Sequence, residues 1–140
     1  MEDEEDLAMS NISVRYIVND INDSIKFYTT ILGFNVIMHP AQEFAILGLD
    51  NFRLLLSQPS DLGGGGQEMN DGTKQIPGGW NRFEIEVSDL PKKVADLKGQ
   101  GCKFRNEIVK GVGGQQILLE DPSGNLIELF QYYEQNENWS

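Results

Sequence analysis

The chain of 140 residues contains one histidine, His39, and one cysteine, Cys102. A lone cysteine excludes an internal disulfide and suits a reducing compartment, so a cytoplasmic location is expected. A lone histidine excludes an iron site built from two histidines and a carboxylate. It also leaves no Ser/His/Asp arrangement that spacing supports. Positive charge is scarce: 11 Lys and Arg stand against 22 Asp and Glu, a net charge of −11. Such a surface repels phosphate backbones, so no nucleic-acid partner is expected. No stretch approaches the ~20 consecutive apolar residues a membrane helix needs, and no membrane partner is expected. The N-terminus lacks the basic start of a signal peptide. Every residue from Glu2 to Asp6 is acidic, and residues 1–11 read as a solvated, disordered tail.

Apolar residues make up 39% of the chain, enough for a core, and there are 15 glycines to make turns. In "ISVRYIV" (12–18), Val14, Tyr16 and Val18 alternate with Ser13, Arg15 and Ile17, which predicts a strand with one packed and one more polar face. Ile21, Ile25, Tyr28 and Leu32 recur at helical spacing, and Gly33 supplies a left-handed stop. Strands are expected at 34–38, 44–48 and 52–57, with a turn around His39 and Pro40. Residues 59–80 are rich in Gly, Pro and polar residues and have no period. A connector of that length is expected to be functional or mobile. "GGGG" at Gly63–Gly66 lacks the following Lys-Ser/Thr of a phosphate loop.

The pattern then returns. Phe83, Ile85 and Val87 alternate with Arg82, Glu84 and Glu86. Asp89 can cap a helix with Pro91 in its first turn; Leu90, Val94 and Leu97 form its stripe, and Gly99 and Gly101 end it. Strands are expected near 103–108 and 115–120, "EDPSGN" is a turn, and "LIELFQYY" closes the pattern. Val18 and Asp20 correspond to Val87 and Asp89 at an offset of 69, Gly33 to Gly101 at 68, and Asn51 to Asn125 at 74. The expected fold is therefore α+β, two βαβββ modules at 12–58 and 81–133, with a C-terminal tail at 134–140.

"VNDINDSIKFYTTILGF", "EVSDLPKKVADLKGQG" and "LLEDPSGNLIELFQ" resemble the two modules of the glyoxalase/bleomycin-resistance/dioxygenase (vicinal oxygen chelate) superfamily, over roughly residues 12–132. The resemblance implies that the modules curl into half-open barrels around a shared cleft, and that the protein is a homodimer. It also implies four metal-ligand positions, one on the first and one on the last strand of each module. Here they fall at Ser13, Leu54, Arg82 and Glu128, and only Glu128 is a family-type ligand. Serine is a poor ligand, leucine none, and arginine repels a cation. No cofactor is therefore expected, a divalent metal being the alternative, and an Arg82–Glu128 ion pair can fill the space of the metal.

That architecture directs Arg15, Arg82, Glu84 and Glu86 toward a pocket, where Arg82 can hold a carboxylate or phosphate through two parallel bonds. Glu128 is the candidate base, or the anchor of a cationic ligand group, against a structural ion pair with Arg82 or Arg15. Gln115 or Gln116 can donate hydrogen bonds to a ligand, while "GVGGQQ" (111–116) is otherwise a hairpin turn. Trp80 and Phe130 can supply stacking surface, or Trp80 can anchor a hinge in the core. His39 reads as a surface turn residue and Cys102 as a small buried hydrophobe. The expected ligand-binding set is Ser13, Arg15, Leu54, Trp80, Arg82, Glu84, Gln116, Glu128 and Phe130. The expected function is metal-independent binding or sequestration of a small molecule, preferably a cation. The rival is a glyoxalase-type lyase or isomerase acting next to a carbonyl, with Arg82 in the electrostatic role of the metal and Glu128 as base.

Overall fold

Local signals fix both helices of the described residues. In the computed structural model, which describes residues 12–134, α1 spans Ile21–Leu32 and α2 spans Leu90–Gly99. The Asp20 carboxylate accepts from the Asp23 backbone N–H at 2.9 Å, and that of Asp89 from Lys92 at 3.2 Å, satisfying donors that each first turn leaves open. Gly33 (φ 77°) ends α1 in the left-handed region. No helix among the described residues is long and apolar enough to cross a membrane.

The chain divides into two units, one ending at Ile76 and the other beginning at Pro77. In the first, β1 (Ser13–Ile17), β2 (Asn35–Ala41), β3 (Phe44–Leu49) and β4 (Phe52–Ser57) form a sheet of order β1-β4-β3-β2. The terminal strands β1 and β4 pair in parallel and the rest antiparallel. Val18, Ile21, Tyr28, Leu47, Leu54 and Leu56 are completely or almost completely buried. Each such side chain contributes roughly 1.5–3 kcal/mol of apolar burial. Tyr28 and Phe34 meet edge to face at 5.4 Å.

In the second unit, β5 (Arg82–Glu86), β6 (Lys103–Phe104), β7 (Val109–Lys110), β8 (Gly114–Glu120) and β9 (Leu126–Tyr132) form a five-stranded sheet of order β5-β9-β8-β6, with β7 also pairing β8. Leu90, Leu97, Ile117, Leu119, Ile127 and Leu129 are its fully buried core. Neither sheet closes into a barrel.

Two expected elements differ. His39 and Pro40 lie inside β2, and the turn falls at Gln42 and Glu43. β2 is an edge strand with register shifts between Val36 and Ala41, where a residue lacking an N–H is tolerated. Of the strand expected near 103–108 only β6 (Lys103–Phe104) forms, and β7 follows just beyond it at Val109–Lys110. Between them the Asn106 side chain accepts from the Leu118 backbone N–H at 2.9 Å, in place of a main-chain carbonyl. The first three residues of "GVGGQQ", 111–113, form the β7–β8 turn, closed by a Gly111 to Gly114 hydrogen bond of 2.8 Å, and the rest opens β8. The tail expected at 1–11, and 135–140 of the C-terminal one, lie outside the described residues.

Candidate functional site

Five of the expected residues share one face of the second sheet. The parallel pairing of β5 with β9 sets Arg82 beside Leu126, Glu84 beside Glu128 and Glu86 beside Phe130. Side chains two apart on a strand share a face, so Arg82, Glu84, Glu86, Glu128, Phe130 and Tyr132 all point away from the buried side. Arg82 reaches one register step along. Its Nε donates to Glu128 Oε1 at 2.8 Å, and its other limb to the Trp80 carbonyl at 3.2 Å. The ion pair is partly covered, with side chains 31% and 12% exposed. From β8, the Gln116 amide nitrogen, in the orientation that satisfies both its ends, donates to both Glu128 oxygens at 2.7 and 3.0 Å.

Glu84 is the second carboxylate of this group. Tyr132 donates its hydroxyl to Glu84 Oε1 at 2.9 Å. Partial burial of the Glu84 carboxyl, followed by its hydrogen bond with Glu128 and the negative charges of Glu128 and Glu86, raises its pKa against the opposing effect of Tyr132. The Tyr132 phenol is pushed up in turn, chiefly by its bond to Glu84. The Phe130 and Tyr132 rings lie 4.4 Å apart. Three carboxylates and one guanidinium thus surround an aromatic pair, an arrangement that attracts a cation.

Trp80 does not anchor a hinge in the core: the residue is 65% exposed, and its ring faces the Arg105 guanidinium at 4.9 Å. Arg105 is held in turn by Glu120 at 3.0 Å and the Gly124 carbonyl at 3.0 Å. Only the Trp80 carbonyl joins the Arg82 group. Gln115 bonds Gln131 at 3.0 Å instead of facing outward.

In the first unit, Ser13 and Arg15 point to the face opposite the core, but Arg15 is already engaged. Its guanidinium donates to Ser57 Oγ at 2.6 Å and to the Gly64 carbonyl at 3.0 Å. Leu54 is a correction. It pairs with Val14, is fully buried, and lies on the opposite face from Ser13. The pairing Arg15↔Leu55 matches Glu84↔Glu128, so Leu55 is the counterpart of Glu128, at an offset of 73. The same register places Arg53 next to Ser13, a residue the sequence reading passed over. His39 sits in the exposed edge strand. Burial pushes the Cys102 thiol up, against the opposing charge of Lys93, which disfavours the reactive thiolate.

The metal positions implied by the resemblance do not fit a divalent ion. Leu54 and Ser13 are on opposite faces, Arg82 is a cation, and Glu128 is bonded to it. Among the described residues, no three or more His, Cys, Asp or Glu are grouped to hold one. Two surface depressions, of about 270 and 460 Å³, lie in the connector and at the start of α2, and neither includes Arg82 or Glu128.

The sequence model of the Glyoxalase/Bleomycin resistance protein/Dioxygenase superfamily matches residues 12–129. A bleomycin resistance protein of Geobacillus stearothermophilus is 29% identical over 120 residues, covering 81% of this chain and 90% of that protein. A probable chloroplastic lactoylglutathione lyase of Arabidopsis thaliana is 29% identical over 129 residues; the match covers 86% of this chain but only 35% of the lyase. Among solved structures, a superfamily member from Sphaerobacter thermophilus superposes with a TM-score of 0.69 at 21% identity, covering 89% of this chain and 98% of the other.

Proposed function

The chain belongs to the Glyoxalase/Bleomycin resistance protein/Dioxygenase superfamily, and on that footing we propose that it binds a small cationic molecule without a metal and holds it unreacted. The observation that carries this reading is the 2.8 Å ion pair of Arg82 with Glu128. The one family-type ligand position with a carboxylate is bonded to a guanidinium, and Gln116 donates to both oxygens of that carboxylate. What remains for a ligand is the negative charge of Glu84 and Glu86 beside the Phe130–Tyr132 ring pair. Carboxylates with aromatic faces suit an organic cation carrying a planar group. The bleomycin resistance protein among the relatives supports sequestration as the mode of action. In this reading the protein is a cytoplasmic homodimer.

A second reading has one specific observation in its favour. The raised pKa of Glu84, from partial burial and the neighbouring Glu128 and Glu86 carboxylates, is the tuning that a general base needs. In a lyase or isomerase, Glu84 or Glu128 would take a proton next to a carbonyl and Arg82 would stabilise the resulting oxyanion. Arg82, however, already donates to Glu128 and to the Trp80 carbonyl, which leaves it poorly placed to bond an oxyanion.

Calorimetric titration with bleomycin, alongside an assay for lactoylglutathione formation, separates the readings. Saturable binding that Glu84→Gln weakens, with no turnover, supports sequestration. Turnover that Glu84→Gln or Glu128→Gln abolishes with little change in binding replaces it with the enzyme.

A further inference from the structure

The chain has four arginines, and three of them are tied down. Arg82 pairs with Glu128, Arg105 with Glu120, and Arg15 with Ser57 and the Gly64 carbonyl. The Arg53 side chain, alone of the four, makes no hydrogen bond or ion pair among the described residues, and its Nε is cut off from solvent with no acceptor. Buried polar donors in folded proteins nearly always have a partner, and one that does not calls for an explanation.

The surroundings of Arg53 supply one. Across the first sheet, Ser13, Arg53, Gly48 and Asn35 form one row of paired residues. The next row on the same face is Arg15, Leu55, Ile46 and Met38. Neither row contains an aspartate or glutamate, although acids outnumber bases two to one in the chain. Gly48 leaves room next to Arg53, taken up by the Ile37 side chain, which a Cβ at Gly48 would strike. The face therefore combines two guanidinium groups, one of them unpartnered, with an apolar floor.

We propose that this face of the first sheet binds an organic oxyanion, a carboxylate with an apolar body, with Arg53 as its anchor and Ser13 next to it. The planar guanidinium meets a carboxylate through two parallel hydrogen bonds. Recruiting Arg15, Arg82 or Arg105 would break bonds already made, whereas Arg53 gives up none. On binding, the guanidinium turns out toward the ligand and its Nε acquires the acceptor it lacks. Leu55, Ile46 and Ile37 then cover the apolar body. The site lies on a different sheet from the Glu84–Glu128 group; Ser13 and Arg15 belong to the ligand-binding set expected from the sequence, and Arg53 with the class of ligand is what the inference adds.

The test uses benzoate and inorganic phosphate as probes, followed by calorimetry and by the arginine Nε–Hε resonances of the intact protein. Benzoate is expected to shift the Arg53 resonance, and Arg53→Gln to weaken its binding at least tenfold. Arg53→Lys should restore part of the loss, and the surface change Lys103→Gln should leave benzoate affinity unchanged. Phosphate binding as tight as benzoate would overturn the role of the apolar floor. Benzoate binding that Arg53→Gln leaves intact, or an unmoved Arg53 resonance at saturating benzoate, would overturn the site. Because the resonance is read in the unmodified protein, a poorly folding variant does not remove the test.

Discussion

Arg82 and Glu128 are joined at 2.8 Å although they are not register partners; Arg82 sits beside Leu126 and reaches one step along β9 to the carboxylate. The Glu128 side chain is 12% exposed and that of Arg82 31%, so removing the negative charge leaves a partly covered cation. Glu128→Gln is expected to lower stability by about 1–3 kcal/mol, read as a fall in chemical-denaturation midpoint at unchanged slope. An unchanged midpoint would mean that the pair is solvated and contributes little.

Glu84 gives the second site its pH dependence. Its pKa is raised above the ordinary 4.5, first by partial burial and then by Glu128 and Glu86. A carboxyl with a raised folded-state pKa favours folding while it is protonated. That contribution is complete below the ordinary glutamate pKa and is lost as pH rises through the higher folded value. Glu84→Gln should therefore match the unmodified protein in acid and exceed its melting temperature slightly near neutrality. Tyr132→Phe removes the bond that holds the Glu84 pKa down, so the carboxyl resonance should titrate at still higher pH by NMR. A Glu84 that titrates at or below 4.5 would contradict both.

Most of the architecture was legible because the local signals were redundant. Asp20 and Gly33 bracket α1, and Asp89 with Pro91 opens α2. On β9 a single charge among apolar residues, Glu128, fixed which face was which. On β4 the offset of 74 between Asn51 and Asn125 made Leu54 the counterpart of Glu128. Arg53 and Ser57, four residues apart, carried the alternation that contradicts it, and the pairing with β1 shows that Arg53 and Leu55, not Leu54, share the face of Ser13. Pro40 suggested a turn because a sequence does not reveal that β2 is an edge strand. The partners of Arg15, Ser57 and Gly64, lie 42 and 49 residues away, beyond the reach of any local pattern.

Metal content tests the donor chemistry directly. With Ser13 and Leu54 on opposite faces and Arg82 bonded to Glu128, protein purified without chelator is expected to carry no stoichiometric divalent ion. Elemental analysis finding about one Zn, Ni, Fe or Mn per chain would require ligands other than these.

The connector gives the last prediction. Its glycine run is held against the first sheet, because the Gly64 carbonyl accepts from Ser57 Oγ at 2.7 Å and from Arg15 at 3.0 Å. Gly65 (φ 92°) packs so closely that a Cβ there would overlap the Arg15 guanidinium. Beyond it, residues 67–74 are exposed. We propose that the mobility expected of this loop concentrates there, so limited proteolysis within the connector should cut at 67–74 before 62–66. Gly65→Ala should destabilise the protein by roughly 1–3 kcal/mol, since it combines a strained φ with displacement of Arg15. Gly72→Ala is the matched control. Its φ is 88° but a Cβ there meets nothing within 4 Å, so its cost is the backbone strain alone, about 1 kcal/mol. Gly65→Ala should also hasten cleavage throughout 62–74, because Gly64 then loses its hold on Arg15 and Ser57. Equal costs for the two alanines, with an unchanged cleavage pattern, would show that the Arg15 contact does not anchor the loop.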